Sequence, residues 1–424
     1  MENIHRRVFD TSFALWSERA SLIQTRRRLM RYTYGDQWGD TVADFDGSAI
    51  IESDLIRKTG RRPITNNLIR RLVKTIVGRY RDMAARNEWY DKDTDSFDSL
   101  ALTEELDSRL LEEFLISGMA IQRIADDNPF QKNKPYVINV SPDAFFCNHF
   151  SDPRGYDIET VGMLHDMSPA EIFLRFSKNN LKAAKEIERI LTSDDCLPSS
   201  FAPSARSFFN SVKGRFRVIE VWSRQYDNAG NIVWRVRWFA PNGTLLDTYI
   251  SPWKHASHPF ALKFYPLTNG EVHSFVEDVV DQQRYINRII VLIDRILATS
   301  AKGVLLFPKS QKADDMSWND IARRWAAPDG IIPLTGKGTV LPQQIRRTSG
   351  DISAYRLLEM ELKLFDQTAG VGSALLGSSN NSGGTGIEHY KAQVENATIA
   401  LADIFRTFRA LIDARNVKLA NLRS

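Results

Sequence analysis

Tyr285-Ile286-Asn287-Arg288-Ile289-Ile290-Val291-Leu292-Ile293-Asp294-Arg295-Ile296-Leu297 is the stretch on which the fold turns. It lies within Val272 to Thr299, a run free of glycine and proline. The spacing predicts one helix there, about 40 Å long at ~1.5 Å per residue. One apolar seam runs through Val272, Val276, Val279, Ile286, Ile290, Ile293 and Leu297, interrupted by Gln283. A second runs through Tyr285, Ile289, Leu292 and Ile296. A helix resting on one core needs a single stripe. Two stripes predict partners on two sides. A second helix, capped at Ser349 or Asp351 and reaching about Thr368, repeats the pattern. Its seams are Tyr355, Leu358, Leu362, Phe365 and Leu357, Met360, Leu364.

Between these helices, Val304 to Phe307 reads as a short strand. Residues 309–349 are irregular, with turns at Pro328-Asp329-Gly330 and Thr335-Gly336-Lys337-Gly338. After the second helix comes Gly377-Ser378-Ser379-Asn380-Asn381-Ser382-Gly383-Gly384-Thr385-Gly386. Such a composition buries almost nothing. Ile387 to Leu422 then reads as one long helix with a stripe at Tyr390, Val394, Ala397, Leu401, Ile404, Phe408 and Leu411.

The upstream 270 residues alternate between patterns of both kinds, predicting an α+β body. Residues 10–32 are helical and end in the basic group Arg26-Arg27-Arg28 and Arg31; residues 41–63 read as loop or extended chain. Asn66 to Ala85 forms a helix with Leu68, Leu72, Ile76, Tyr80 and Met83 on one stripe. Arg70, Arg71, Lys74, Arg79 and Arg81 occupy its other faces. The plain reading is a solvated basic face; the sharper one is contact with nucleic acid or an acidic neighbour. A second, acidic helix spans Ser99 to Ile116. Strands are predicted at Ala120–Ile124, Tyr136–Val140 and Leu245–Ile250, and a hairpin joins Arg215–Arg224 to Ile232–Phe239. Ser168, Pro169 and Glu171 have the spacing of a capping box. Residues 192–214 read as a connection.

Composition narrows the function classes. The formal charge of +4 is too small to mark the whole chain as a nucleic-acid binder. Neither of the two cysteines, Cys147 and Cys196, has a second ligand at zinc-site spacing. The longest apolar runs are about five residues, such as Ile289 to Ile293, against the ~20 needed to span a bilayer. The expectation is a soluble, unsecreted protein without a cofactor. The seven histidines sit in no H-E-x-x-H or H-x-E arrangement. Gly336-Lys337-Gly338-Thr339 lacks the upstream glycine of a phosphate loop, and Gly370-Val371-Gly372 follows a helix instead of a strand. Asp91, Asp93, Asp95 and Asp98 lack the glycine and terminal Glu of a calcium loop. No catalytic or metal residue is assigned.

The order of features resembles one family. Tyr34-Gly35-Asp36-Gln37-Trp38 resembles the early Y-G-x-Q-W element of tailed-phage portal proteins, especially those of short-tailed phages. Arg62-Pro63-Ile64-Thr65-Asn66-Asn67-Leu68-Ile69 is similar to the segment opening their first wing helix. Ser141-Pro142-Asp143-Ala144-Phe145-Phe146 through Ser151-Asp152-Pro153, and His258-Pro259-Phe260 before a long helix, complete the resemblance. It covers most of residues 30–420.

The resemblance implies an α+β, mainly α, portal fold. Residues 1–271 would form the wing, 272–300 and 350–368 the stem helices, and 301–349 the clip. Residues 369–386 would form a tunnel loop, and 387–424 a helix toward a reduced crown. It implies a homo-oligomeric ring, a dodecamer in this family, at one capsid vertex of the virion, assembled in the host cytoplasm. Double-stranded DNA would cross its channel during packaging and ejection. The major capsid protein, terminase and head-completion or tail adaptor proteins would be its partners, with no membrane involved. Ser378, Ser379, Asn380, Asn381, Ser382, Gly383 and Gly384 would face the DNA. Lys302, Lys309, Lys312, Arg346 and Arg347 flank the clip and could touch phosphates, though a solubility role is equally open for each.

Independent physics agrees in one respect. A cyclic ring uses head-to-tail interfaces, so each subunit presents two different faces. On this reading Val279, Ile286, Ile289, Ile290, Ile293, Tyr355, Leu358, Leu362 and Phe365 form subunit seams. Two alternatives remain open at this level. One is a nucleic-acid-processing enzyme with dispersed carboxylates, and the other a different helical phage adaptor or scaffold oligomer.

Overall fold

Alternating residues on either side of an Asp-Asn-Ala-Gly turn build the centre of the largest sheet. In the computed structural model, the described residues are 2–44, 46–85, 97–125, 135–177, 180–192, 206–227, 229–253, 257–300, 304–326, 331–336, 339–345, 351–371, 399 and 401–423. The helices are α1 (Glu2–Glu18), α2 (Ala20–Tyr34), α3 (Glu52–Lys58), α4 (Leu68–Ala85), α5 (Phe97–Ser117) and α6 (Pro169–Phe176). They continue as α7 (Leu181–Thr192), α8 (Arg206–Phe209), α9 (Glu277–Ser300), α10 (Trp318–Ala326), α11 (Asp351–Ala369) and α12 (Ala402–Arg423). The strands are β1 (Thr41–Ala43), β2 (Ala49–Ile51), β3 (Met119–Ala125), β4 (Tyr136–Asn139), β5 (Phe145–Cys147), β6 (Thr160–Met167) and β7 (Phe216–Tyr226). After them come β8 (Ile232–Phe239), β9 (Leu245–Ile250), β10 (Phe260–Phe264), β11 (Pro266–Thr268), β12 (Glu271–Val272), β13 (Val304–Leu306) and β14 (Gln343–Ile345). Helix predominates over strand, as an α+β, mainly α, chain requires.

The chain divides into two units that interleave in sequence. One takes residues 1–34, 69–278 and 369–424; the other takes 35–68 and 279–368. Residues 35–68, expected within the wing, therefore group with α9 and α11.

In the first unit, β5-β6-β7-β8-β9 form an antiparallel five-stranded sheet. Side chains alternate across it. Ile219, Val221 and Phe239 face α1, where Phe9, Trp16, Phe146, Phe208 and Phe209 complete a core. On the other face Arg175 stacks 4.0 Å from the Trp238 ring. Glu220 lies fully buried on this face, accepting from Arg123 at 3.0 Å, His165 at 2.7 Å and Trp222 at 2.9 Å. Burial opposes its charge, yet Arg123 and His165 hold its carboxyl far below the usual carboxylate range. Gly162 on β6 passes so close that an added Cβ would lie 2.3 Å from the Glu220 carbonyl oxygen and from the Phe146 ring.

The second sheet, β10-β3-β4, carries α5 and α12. Phe408 on α12 meets Tyr80 and Phe114 edge-on or tilted, at 5.6 and 5.9 Å. Arg415 pairs with Asp107, both buried. Lys418 donates to Ser257 Oγ at 3.0 Å and to the His258 carbonyl at 2.6 Å, and burial lowers its ammonium to about 8. The sequence reading carries one helix from Ile387 toward a crown. Residues 387–398 lie outside the described residues; after a turn at Leu401, α12 packs on β3 and β10.

The capping box at Ser168 forms as spaced: Glu171 N–H donates to Ser168 Oγ, and Ser168 N–H to the Glu171 carboxylate. The basic residues are largely matched within the chain. Arg26 pairs with Glu113 and Asp143, Arg27 with Asp143, Arg70 with Glu112, and Arg81 with Glu104 and Glu105. This favours the plain reading of the basic faces.

Candidate assembly and channel site

Helix α9 begins with acidic Glu277 and Asp278 in its first turn, where the helix dipole favours negative charge. Beyond Val279 it presents three different faces. Ile289 and Ile293 pack on Ala354 of α11, with Ile296, Leu357 and Leu358 around them. This is the apolar seam, and it is satisfied within one chain.

The second face is polar and gripped by residues 35–68. Gln283 and Asn287 are fully buried on it, as is Gln37. Gln283 Nε2 donates to the Asn66 carbonyl at 2.7 Å, and the Leu68 N–H donates to Gln283 Oε1 at 2.8 Å. The Asn66 N–H donates to Asn287 Oδ1 at 3.0 Å, and Asn287 Nδ2 donates to Gln37 Oε1. Gln37 Nε2 continues the chain to Asn67 Oδ1 at 3.1 Å. Beside this network the buried Glu52 carboxylate receives Arg284 at 2.8 Å and Arg288 at 2.6 Å. Trp38 Nε1 donates to Thr65 Oγ1 at 3.0 Å. The Y-G-x-Q-W and P-I-T-N-N elements thus meet each other and α9 through side-chain amides. Sequence reasoning missed this. The available signal was Gln283 inside an apolar stripe with Asn287 four residues on, one helical turn away.

The third face is open. Tyr285, Leu292 and Leu297 on α9, with Tyr355, Met360 and Leu364 on α11, are each 41–50% exposed. Helices that expose this much aromatic and aliphatic side chain are candidates for contact with another molecule.

The residues expected at subunit seams divide accordingly. Val279, Ile286, Ile289, Ile293 and Phe365 are buried by the chain itself. Ile290, Leu358 and Leu362 are half-buried, and Tyr355 is exposed. The two seams inferred from spacing are therefore one buried apolar face plus an exposed strip, with Gln283 marking a polar face against residues 35–68. Of the clip residues, Lys309 is exposed and Lys312 half-buried, beside the two-stranded ribbon β13–β14. Lys302, Arg346 and Arg347 lie outside the described residues, as do Ser378, Ser379, Asn380, Asn381, Ser382, Gly383 and Gly384, and the acidic cluster at Asp91, Asp93 and Asp95. Among the described residues no helix is long and apolar enough to cross a membrane.

A family model for phage P22-like portal proteins matches residues 97–412, most of the chain. The chain belongs to the phage P22-like portal protein family. That membership, in a family of structural proteins, gives it a portal role as a component of the phage virion at the capsid vertex. The match takes in α9, α11, the segment between them and the first half of α12 of this portal protein. Among curated proteins no relative matches it.

Proposed function

We propose that this portal protein closes into a head-to-tail ring of twelve subunits at one capsid vertex. The ring forms the channel that double-stranded DNA crosses during packaging and ejection. It is assembled in the host cytoplasm and docks the major capsid protein, terminase and head-completion or tail adaptor proteins. α9 and α11 serve as its stem and residues 301–349 as its clip. The segment Ser378 to Gly384 faces the DNA, where small neutral side chains let the duplex slide without capture. Lys302, Lys309, Lys312, Arg346 and Arg347 stand near the path of the phosphates.

The observation that carries this reading is the exposed strip on α9 and α11. Each helix uses one face on the other and leaves an apolar face open. A ring gives every copy a neighbour on each side, so such a strip is covered without leaving a free edge. The test is the mass of the purified chain in solution together with an image down the particle axis. A ring with a central pore is expected. A species at 48.3 kDa across tens of micromolar, or a poreless filament, overturns the proposal.

A further inference from the structure

We infer that Gln37, Asn67, Gln283 and Asn287 form a register lock for the stem helix, positioning its open strip at one angle and one height. The apolar face of α9 does not fix its own position. Ile286, Ile289, Ile290 and Ile293 have the same side chain, so a helix displaced by one turn exchanges one isoleucine for another. The polar face allows no such exchange. Displacement by one turn carries the shorter Asn287 to the place of Gln283.

The Asn66 N–H then loses its partner, and the Asn66 carbonyl and the Leu68 N–H keep only each other. Gln37 Oε1 loses the Asn287 amide as well. Groups buried and unpaired in this way are strongly disfavoured. Buried polar side chains that select one register over near-equal alternatives are the best-attested use of such networks. Glu52, bridging Arg284 and Arg288, brackets the same turn of the helix. The strip at Tyr285 and Leu292 sits on the helix that is locked, so its direction follows from the lock. Resting on the ring reading, the consequence is that a single subunit number per ring depends on these amides.

The test uses the full chain carrying Gln283→Leu and Asn287→Leu together, which removes the amides and keeps a similar volume. Spin labels at Thr59→Cys and Arg295→Cys, both exposed and both in the second unit, report the helix position directly. The background carries Cys196→Ser, and Cys147 is buried. The parent should give one narrow inter-label distance. The double variant should give a broadened or two-peaked distribution while still melting cooperatively. Native mass spectrometry should find its rings spread over more than one subunit number. A folded double variant with the parent's distance distribution overturns the lock. A shifted distance with rings of one unchanged size overturns the link to stoichiometry. Should the parent form no ring at all, the ring reading fails, and the label distances still decide the lock. Should the double variant not fold, Gln37→Leu alone, which removes the outer link, carries the same expectations.

Discussion

Leu292 and Ile289 are three positions apart on one helix and predict opposite consequences for the same substitution. Leu292 is 46% exposed, and Ile289 is 2% exposed against Ala354. Full burial of a leucine side chain is worth about 1.5–3 kcal/mol. Roughly half of that is realised in the subunit, so Leu292→Asp should cost the fold about 1 kcal/mol. In a ring the remaining half, again about 1 kcal/mol, is lost at each subunit contact. A carboxylate taken out of water there adds several kcal/mol more. A total near 4 kcal/mol lowers each association constant by about a thousandfold. Ile289→Asp instead places an unpaired charge inside the subunit, a change in the class above about 4 kcal/mol in folding stability. Sedimentation or mass photometry reads assembly, and thermal melting reads folding. Leu292→Asp should yield a folded subunit that does not close rings; Ile289→Asp should yield an unfolded or aggregated chain. Unchanged rings from Leu292→Asp, or equal melting of the two variants, refute the assignment of the faces.

Glu220→Gln should lower stability by roughly 3–5 kcal/mol, because Arg123 stays buried without its counter-charge. The Glu220 carboxyl is held below its ordinary value of 4.5, so its stabilisation is present above that pH and lost as pH falls beneath it. Denaturant titrations should therefore show a weaker acid dependence below pH 4.5 in the variant. Lys418 also has a lowered value, but burial penalises its charge. Between about 8 and 10.5 the unfolded chain holds a proton that the folded chain has shed, so stability rises with pH there, by on the order of 3 kcal/mol. Lys418→Met should flatten that rise, and an unchanged slope in denaturant titrations contradicts the burial of the amine. Gly162→Ala should cost at least about 1–3 kcal/mol by thermal melting, since β6 has no room for a methyl group beside Glu220 and Phe146. Deleting Asn380 to Gly384 should leave ring mass unchanged while lowering packaged DNA per particle; normal packaging by that deletion removes the channel-facing role of the segment.

Local rules were legible where neighbours in sequence decide the outcome. The Ser168 box, the β7–β8 hairpin and the strand Leu245–Ile250 all form where their residues indicate. Two of the strands that escaped notice did so for a clear physical reason. Thr160–Met167 contains Gly162, His165 and Asp166, which blur its alternation, and its order comes from pairing along β7. Phe260–Phe264 is short and bounded by prolines, and it becomes a strand only against β3, far earlier in the chain. Helices α9 and α11 show the same limit. Spacing reveals how many apolar rows α9 carries, but it does not say which row meets α11 and which stays open. Residues 41–63, read as loop or extended, hold α3 and the buried Glu52, whose partners Arg284 and Arg288 lie more than two hundred positions away. The polar network was visible only as a flaw in a stripe, because an amide's worth depends on partners that a single helix does not contain.

The pairing of Asp107 with Arg415 spans 308 residues and sets a clock on biosynthesis. Ribosomes add about 5–20 residues each second, so roughly 15–60 s pass between synthesis of the two partners. Throughout that interval the pocket for Asp107 lacks its cation, and the surface awaiting Phe408 is bare. Only with α12 made does the sheet β10-β3-β4 receive the helix that covers it.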